Sequence, residues 1–137
     1  MKIDERFGLL VSLLCCCALG CTISMPTLSE YSANRVHEYR VGDNFAIALS
    51  GTSPVAMWQI LSHDKNVLSL QSTKWKNAYE SDSFGALYPG TNTFTFKASK
   101  VGKTTIVICN LTGLSYSESA KKRSDYKELK FEIKVVK

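Results

Sequence analysis

Leu129, Phe131, Ile133 and Val135 alternate without a break with Glu128, Lys130, Glu132 and Lys134. Successive side chains of an extended strand point to opposite sides, so this run buries one dry face only as a β-strand, and a helix would scatter its apolar residues around the axis. Residues 92–98 repeat the pattern, with Phe94, Phe96 and Ala98 on one side and Thr93, Thr95 and Lys97 on the other. The continuous run Ile106, Val107, Ile108 and Cys109 within residues 104–110 predicts a strand covered on both faces. Four shorter runs precede these: residues 36–41; residues 45–49 with Phe45, Ile47 and Leu49; residues 57–61 with Trp58 and Ile60; and residues 67–73 with Leu68 and Leu70. Gly42-Asp43, His63-Asp64-Lys65-Asn66 and Gly102 supply the turn chemistry between them. Seven short strands with no helical periodicity predict an all-β fold, an immunoglobulin-like β-sandwich.

A chain of 137 residues supports one such core and is short for two. The N-terminus stands outside it. An apolar run over residues 7–19 ends in Gly20-Cys21. That length suits the core of a secretory signal and is too short to span a bilayer, which takes about 20 helical residues. Ala18-Leu19-Gly20-Cys21 resembles a bacterial lipobox, with Ala18 where leucine is usual. The expectation is a lipoprotein-type signal peptide over residues 1–20, a lipid on Cys21, a polar tether over residues 21–35 and a folded domain over residues 36–137. The resulting lipoprotein would be membrane-anchored, in the periplasm or at the cell surface.

Residue chemistry argues against an enzyme. Four of the five cysteines, Cys15, Cys16, Cys17 and Cys21, crowd the signal region, which leaves Cys109 without an intradomain disulfide partner. His37 and His63 have no spacing that pairs them with each other or with a cysteine, so no metal site, cofactor or activated nucleophile is expected. The formal charge of +5 is spread along the chain except at Lys121, Lys122 and Arg123, and no basic-aromatic ladder marks a nucleic-acid surface. A monomer that binds another protein is the expected form.

In a sandwich with this strand order, the connections over residues 50–56, 74–91 and 111–126 emerge at one end. The latter two exceed the usual connection of ~4–6 residues, and long loops are often functional. They carry Trp75, Tyr79, Phe84, Leu87, Tyr88, Leu114 and Tyr116, of the residue types that anchor interfaces. Trp75 and Phe84 could instead fold back over the open end of the sandwich.

Val41-Gly42-Asp43 with the alternating strand after it, the proline-containing loop and Trp58 resemble the chagasin-like inhibitors of papain-type cysteine peptidases. So do residues 90–98, the Gly102 turn, the apolar strand after it and the final alternating strand. The resemblance covers about residues 36–137 and implies a domain that presses three loops into a peptidase cleft without performing chemistry. The family's loops carry Asn-Pro-Thr-Thr-Gly, Gly-x-Gly-Gly and Arg-Pro-Trp. Here Gly51, Thr52, Ser53, Pro54 and Val55 stand at the first, Leu87, Tyr88, Pro89 and Gly90 at the second, and Thr112, Gly113 and Leu114 at the third. Those twelve residues are the candidate partner-binding positions. The first keeps a proline and hydroxyls, the second keeps only the last glycine, and the third has lost its arginine, proline and tryptophan. Divergent loops on a kept framework also fit an envelope or surface lipoprotein with an adhesion role that has lost peptidase inhibition.

Overall fold

The computed structural model describes residues 24–51, 58–78, 89–110 and 127–137. Among the described residues eight strands form in the order β1 (Thr27–Leu28), β2 (Val36–Arg40), β3 (Asn44–Gly51), β4 (Trp58–Ser62), β5 (Leu68–Asn77), β6 (Gly90–Ala98), β7 (Gly102–Asn110) and β8 (Glu128–Val136), with a 3-10 turn at Glu30–Ser32. They build two four-stranded sheets, β1-β3-β6-β5 and β2-β8-β7-β4. The sheets close on one core as an immunoglobulin-like sandwich. Phe45, Ile47, Leu49, Phe94 and Phe96 enter it from the first sheet, and Ile106, Ile108, Phe131, Ile133 and Val135 from the second.

The seven strands expected from periodicity are β2 to β8. β8 follows its sequence pattern residue by residue, with Leu129, Phe131, Ile133 and Val135 buried. In β7, Ile106 and Ile108 face the core, and Cys109 on the other face is buried as well.

Three expectations need correction. The tether expected over residues 21–35 is part of the domain from its middle onward. Thr27 and Leu28 pair in parallel with Ala46 and Ile47, and Leu28 packs into the core. Polar neighbours hid this short edge strand, whose burial depends on the β3 backbone it meets. The loop expected over residues 74–91 also begins later than its composition implied, because β5 runs to Asn77 and makes Trp75 a strand residue. Finally, β6 starts at Gly90, so that glycine belongs to a ladder and not to a loop.

β2 runs parallel to β8, with Val36 opposite Glu132 and Arg40 opposite Val136. Strand directions then give the sandwich two distinct poles. β3, β5 and β7 end at one pole, where β4, β6 and β8 begin; we call it the loop pole. The turns at residues 41–43, 63–67 and 99–101 lie at the other, the turn pole. That pole is knitted by short backbone bonds, Gly42 N–H to the Ala98 carbonyl at 2.8 Å, Ala98 N–H to the Asp43 carbonyl at 2.9 Å and Ser99 N–H to the Val67 carbonyl at 2.9 Å.

Candidate binding pole

The residues expected to bind a partner divide into two groups. Thr52, Ser53, Pro54, Val55, Leu87, Tyr88, Thr112, Gly113 and Leu114 lie outside the described residues, as does Cys21. Gly51, Pro89 and Gly90 are described, and they form part of the frame from which the connections leave. The three segments 52–57, 79–88 and 111–126 all begin and end at strand termini of the loop pole.

That frame is held by contacts between the two sheets and across strand ends. Trp58 opens β4 almost wholly buried and donates its indole N–H to the Ser50 carbonyl at 2.9 Å, which ties together the two ends of the first connection. Asn92, fully buried on β6, donates from Nδ2 to the Trp58 carbonyl at 3.1 Å and thereby links the first sheet to the second. A buried polar side chain stabilises such a frame when it is hydrogen-bonded, and the partner lost by substitution would leave a costly unpaired group.

Gly90 sits opposite both Gly51 on β3 and Asn77 on β5. Its missing side chain makes room for Trp75: a Cβ there would lie 2.6 Å from Cζ2 and 2.8 Å from Cε2 of the indole and would collide with the Lys76 carbonyl oxygen. The Trp75 indole lies half-buried beside this bare backbone and donates to Asn77 Oδ1 at 2.7 Å. Ala78 N–H bonds the Pro89 carbonyl at 2.9 Å and closes the ladder under the second connection, as Asn110 N–H does with the Lys127 carbonyl at 3.1 Å under the third. Trp75 thus serves the frame as a strand residue packed beside Gly90.

Asn92 was not singled out by sequence reasoning. Its signal was its parity: Gly90, Asn92, Phe94, Phe96 and Ala98 all face inward, so the amide occupies a core position two residues from a strand end.

Burial pushes the Cys109 thiol up to about 11, with the Glu128 carboxylate adding to the effect, so at neutral pH the sulfur is a protonated, enclosed group. His63 lies at the turn pole with its ring edge-on to Phe96, centroids 5.5 Å apart, and burial followed by the charge of Lys65 holds its pKa below the ordinary value. His37 Nε2 lies 2.8 Å from the Ser32 carbonyl oxygen. Among the described residues no group of three or more histidine, cysteine or acidic side chains is placed to hold a metal.

The two packed sheets have a chagasin-like fold, as their likeness to solved structures shows. Amebosin, known from its solution structure, superposes with a TM-score of 0.65 at 16% identity, over 82% of this chain and 98% of that one. The cysteine protease inhibitor EhICP2 from Entamoeba histolytica gives 0.65 at 20% identity, over 82% and 96%. PbICP-C, solved in complex with falcipain-2, gives 0.54 at 15% identity, over 82% and 91%. No family model and no curated protein matches the sequence, so the likeness is one of fold.

Proposed function

We propose that this chain is an exported, lipid-anchored inhibitor of papain-type cysteine peptidases that works by occluding the active-site cleft. The single observation that carries the reading is the convergence of three connections at one pole on a frame pinned by Trp58, Asn92 and the Gly51–Gly90 pair. Such a pole offers three adjacent segments to one concave partner, and a rigid base limits the conformational freedom lost on binding. Similarity of fold to the inhibitor EhICP2 and to PbICP-C, which was solved bound to falcipain-2, supports the choice of partner. The segments 52–57, 79–88 and 111–126 make the contact, and no residue performs chemistry. The lipid on Cys21 anchors the domain to a membrane.

Titration of active-site-calibrated papain with the purified protein tests the inhibitory role. Stoichiometric loss of activity at submicromolar inhibitor is expected. Full activity at tens of micromolar would overturn it, leaving the adhesion role of an envelope or surface lipoprotein as the reading to pursue.

A further inference from the structure

The turn pole has a character of its own. Of the six large apolar side chains that stand exposed among the described residues, three are here: Met25 at 44%, Val41 at 47% and Val101 at 48%. Val41 and Val101 occupy the tips of adjacent turns with the same local order, a basic residue, valine and glycine: Arg40-Val41-Gly42 and Lys100-Val101-Gly102. Val41 N–H bonds the Val136 carbonyl and Gly102 pairs with Val135, so the two tips flank the end of β8. Lys65, Lys97 and Lys103 join Arg40 and Lys100 around them, against Asp43 and Asp64, and none of these five cations is in an ion pair among the described residues. Both aspartates are turned to local work, Asp43 Oδ2 accepting from Arg40 N–H at 2.8 Å and Asp64 Oδ1 from Asn66 N–H at 2.8 Å.

The chain also enters the domain at this pole. β1 runs parallel to β3, so the residues before Thr27 lie beside the start of β3, and the Pro26 carbonyl accepts from Ala46 N–H at 2.9 Å. Cys21 is three residues before Ser24, within about 10 Å of it even in a fully extended chain. Because residues 27 onward belong to the domain, there is no long tether to hold it off a membrane.

We infer that the turn pole seats directly on an anionic lipid surface, with Val41 and Val101 entering the headgroup region and the surrounding cations facing lipid phosphates. This rests on the membrane-anchor part of the proposed function. Apolar tips ringed by Lys and Arg match the chemistry of such an interface, where the apolar residues partition and each cation near the surface adds to the attraction. The consequence is orientation: the loop pole points away from the membrane. From Leu68 to Trp75 along β5 is about 24 Å at strand rise, which keeps the loop pole clear of the bilayer.

The protein supplies its own control, since its two tryptophans, Trp58 and Trp75, are both at the loop pole. The full chain and its V41W and V101W variants are placed in vesicles of phosphatidylcholine with and without phosphatidylglycerol, floated, and read by quenching with brominated lipid. The expected result is unquenched wild-type emission, together with an added quenched component in each variant that weakens in phosphatidylcholine alone and in a V101W/K100E/K103E protein. Quenching of the native tryptophans, or floated V41W and V101W proteins whose emission matches wild type, overturns the orientation while leaving the anchor intact. A full chain that does not float overturns the anchor, and the orientation with it.

Discussion

Replacing Gly90 by alanine tests whether the loop pole is built on a bare backbone. The added methyl would need to sit about 3.5–4.0 Å from its neighbours for an optimal contact. It would instead find two carbons of the Trp75 indole at 2.6 and 2.8 Å, with the Lys76 carbonyl oxygen nearer still. Ordinary contact would require the half-buried indole to retreat by about an ångström. The carbonyl is harder to move, because Lys76 is laddered opposite Thr91, one pair in from the end of the β5–β6 ladder. Overpacking of this kind costs ~2 kcal/mol, within the usual range for an inserted methyl. For a domain of about this size that lowers Tm by roughly 8 °C. Thermal unfolding followed by circular dichroism gives the stability, and tryptophan emission reports the displaced indole. A G90A/W75A protein should recover part of the loss, with a coupling energy of about 0.5–3 kcal/mol, because two of the three close approaches are to the ring. G42A serves as a contrast: Gly42 has φ +97° and nothing within 4 Å of a Cβ, so its cost is backbone strain that W75A cannot relieve. A G90A protein that melts within about 2 °C of wild type refutes the packing argument.

Trp58→Ala removes the tie between the first connection's two ends along with a buried ring, and should cost about 3–5 kcal/mol in urea unfolding. Trp58→Phe, which keeps most of the ring but strips the donor from the Ser50 carbonyl, should cost nearer ~1–3 kcal/mol; a loss near zero in this variant would deny the hydrogen bond a role. Alkali should weaken the fold. Burial raises Cys109 from 9.0 to about 11, and burial with the Asp43 charge raises Tyr39 from 10.0 to about 12. Both groups bind their protons more tightly when folded, so their contribution is complete below pH 9 and declines through pH 11 and 12. Urea midpoints at pH 7, 9 and 10.5 should fall in that order, and a flat series would exclude this linkage.

Period-two patterning was sufficient to place β6 and β8, because each has one wet and one dry face and no competing reading of Phe94-Thr95-Phe96 or Phe131-Glu132-Ile133 buries the aromatic rings. β1 was illegible for the opposite reason: two residues make no period, and Leu28 is buried only because β3 presents an edge to it. The extension of β5 to Asn77 was hidden in the same way, since polar Lys74 and Lys76 look like loop residues until Trp75 is seen beside Gly90. Pairing order was likewise beyond local pattern. Nothing near Val36 announces that it will lie parallel to Glu132. The convergence of the connections could be inferred from strand count and alternation, and the strand ends bear it out. The pins that fix the frame could not, because Asn92 reaches Trp58 across 34 residues.

The parallel pairing of β2 with β8 also sets the order in which the molecule can be completed. β8 is the central partner of its sheet, holding β2 on one side and β7 on the other. The Lys134–Glu38 contact on that seam joins residues 96 apart in the chain. A ribosome that has delivered everything through β7 has therefore made a polypeptide with one sheet able to zip and the other missing its middle. Half of the apolar interior must wait, exposed, for Leu129, Phe131, Ile133 and Val135 to arrive. Closure this non-local is slow by nature, so the second sheet is complete only once β8 has come in between β2 and β7.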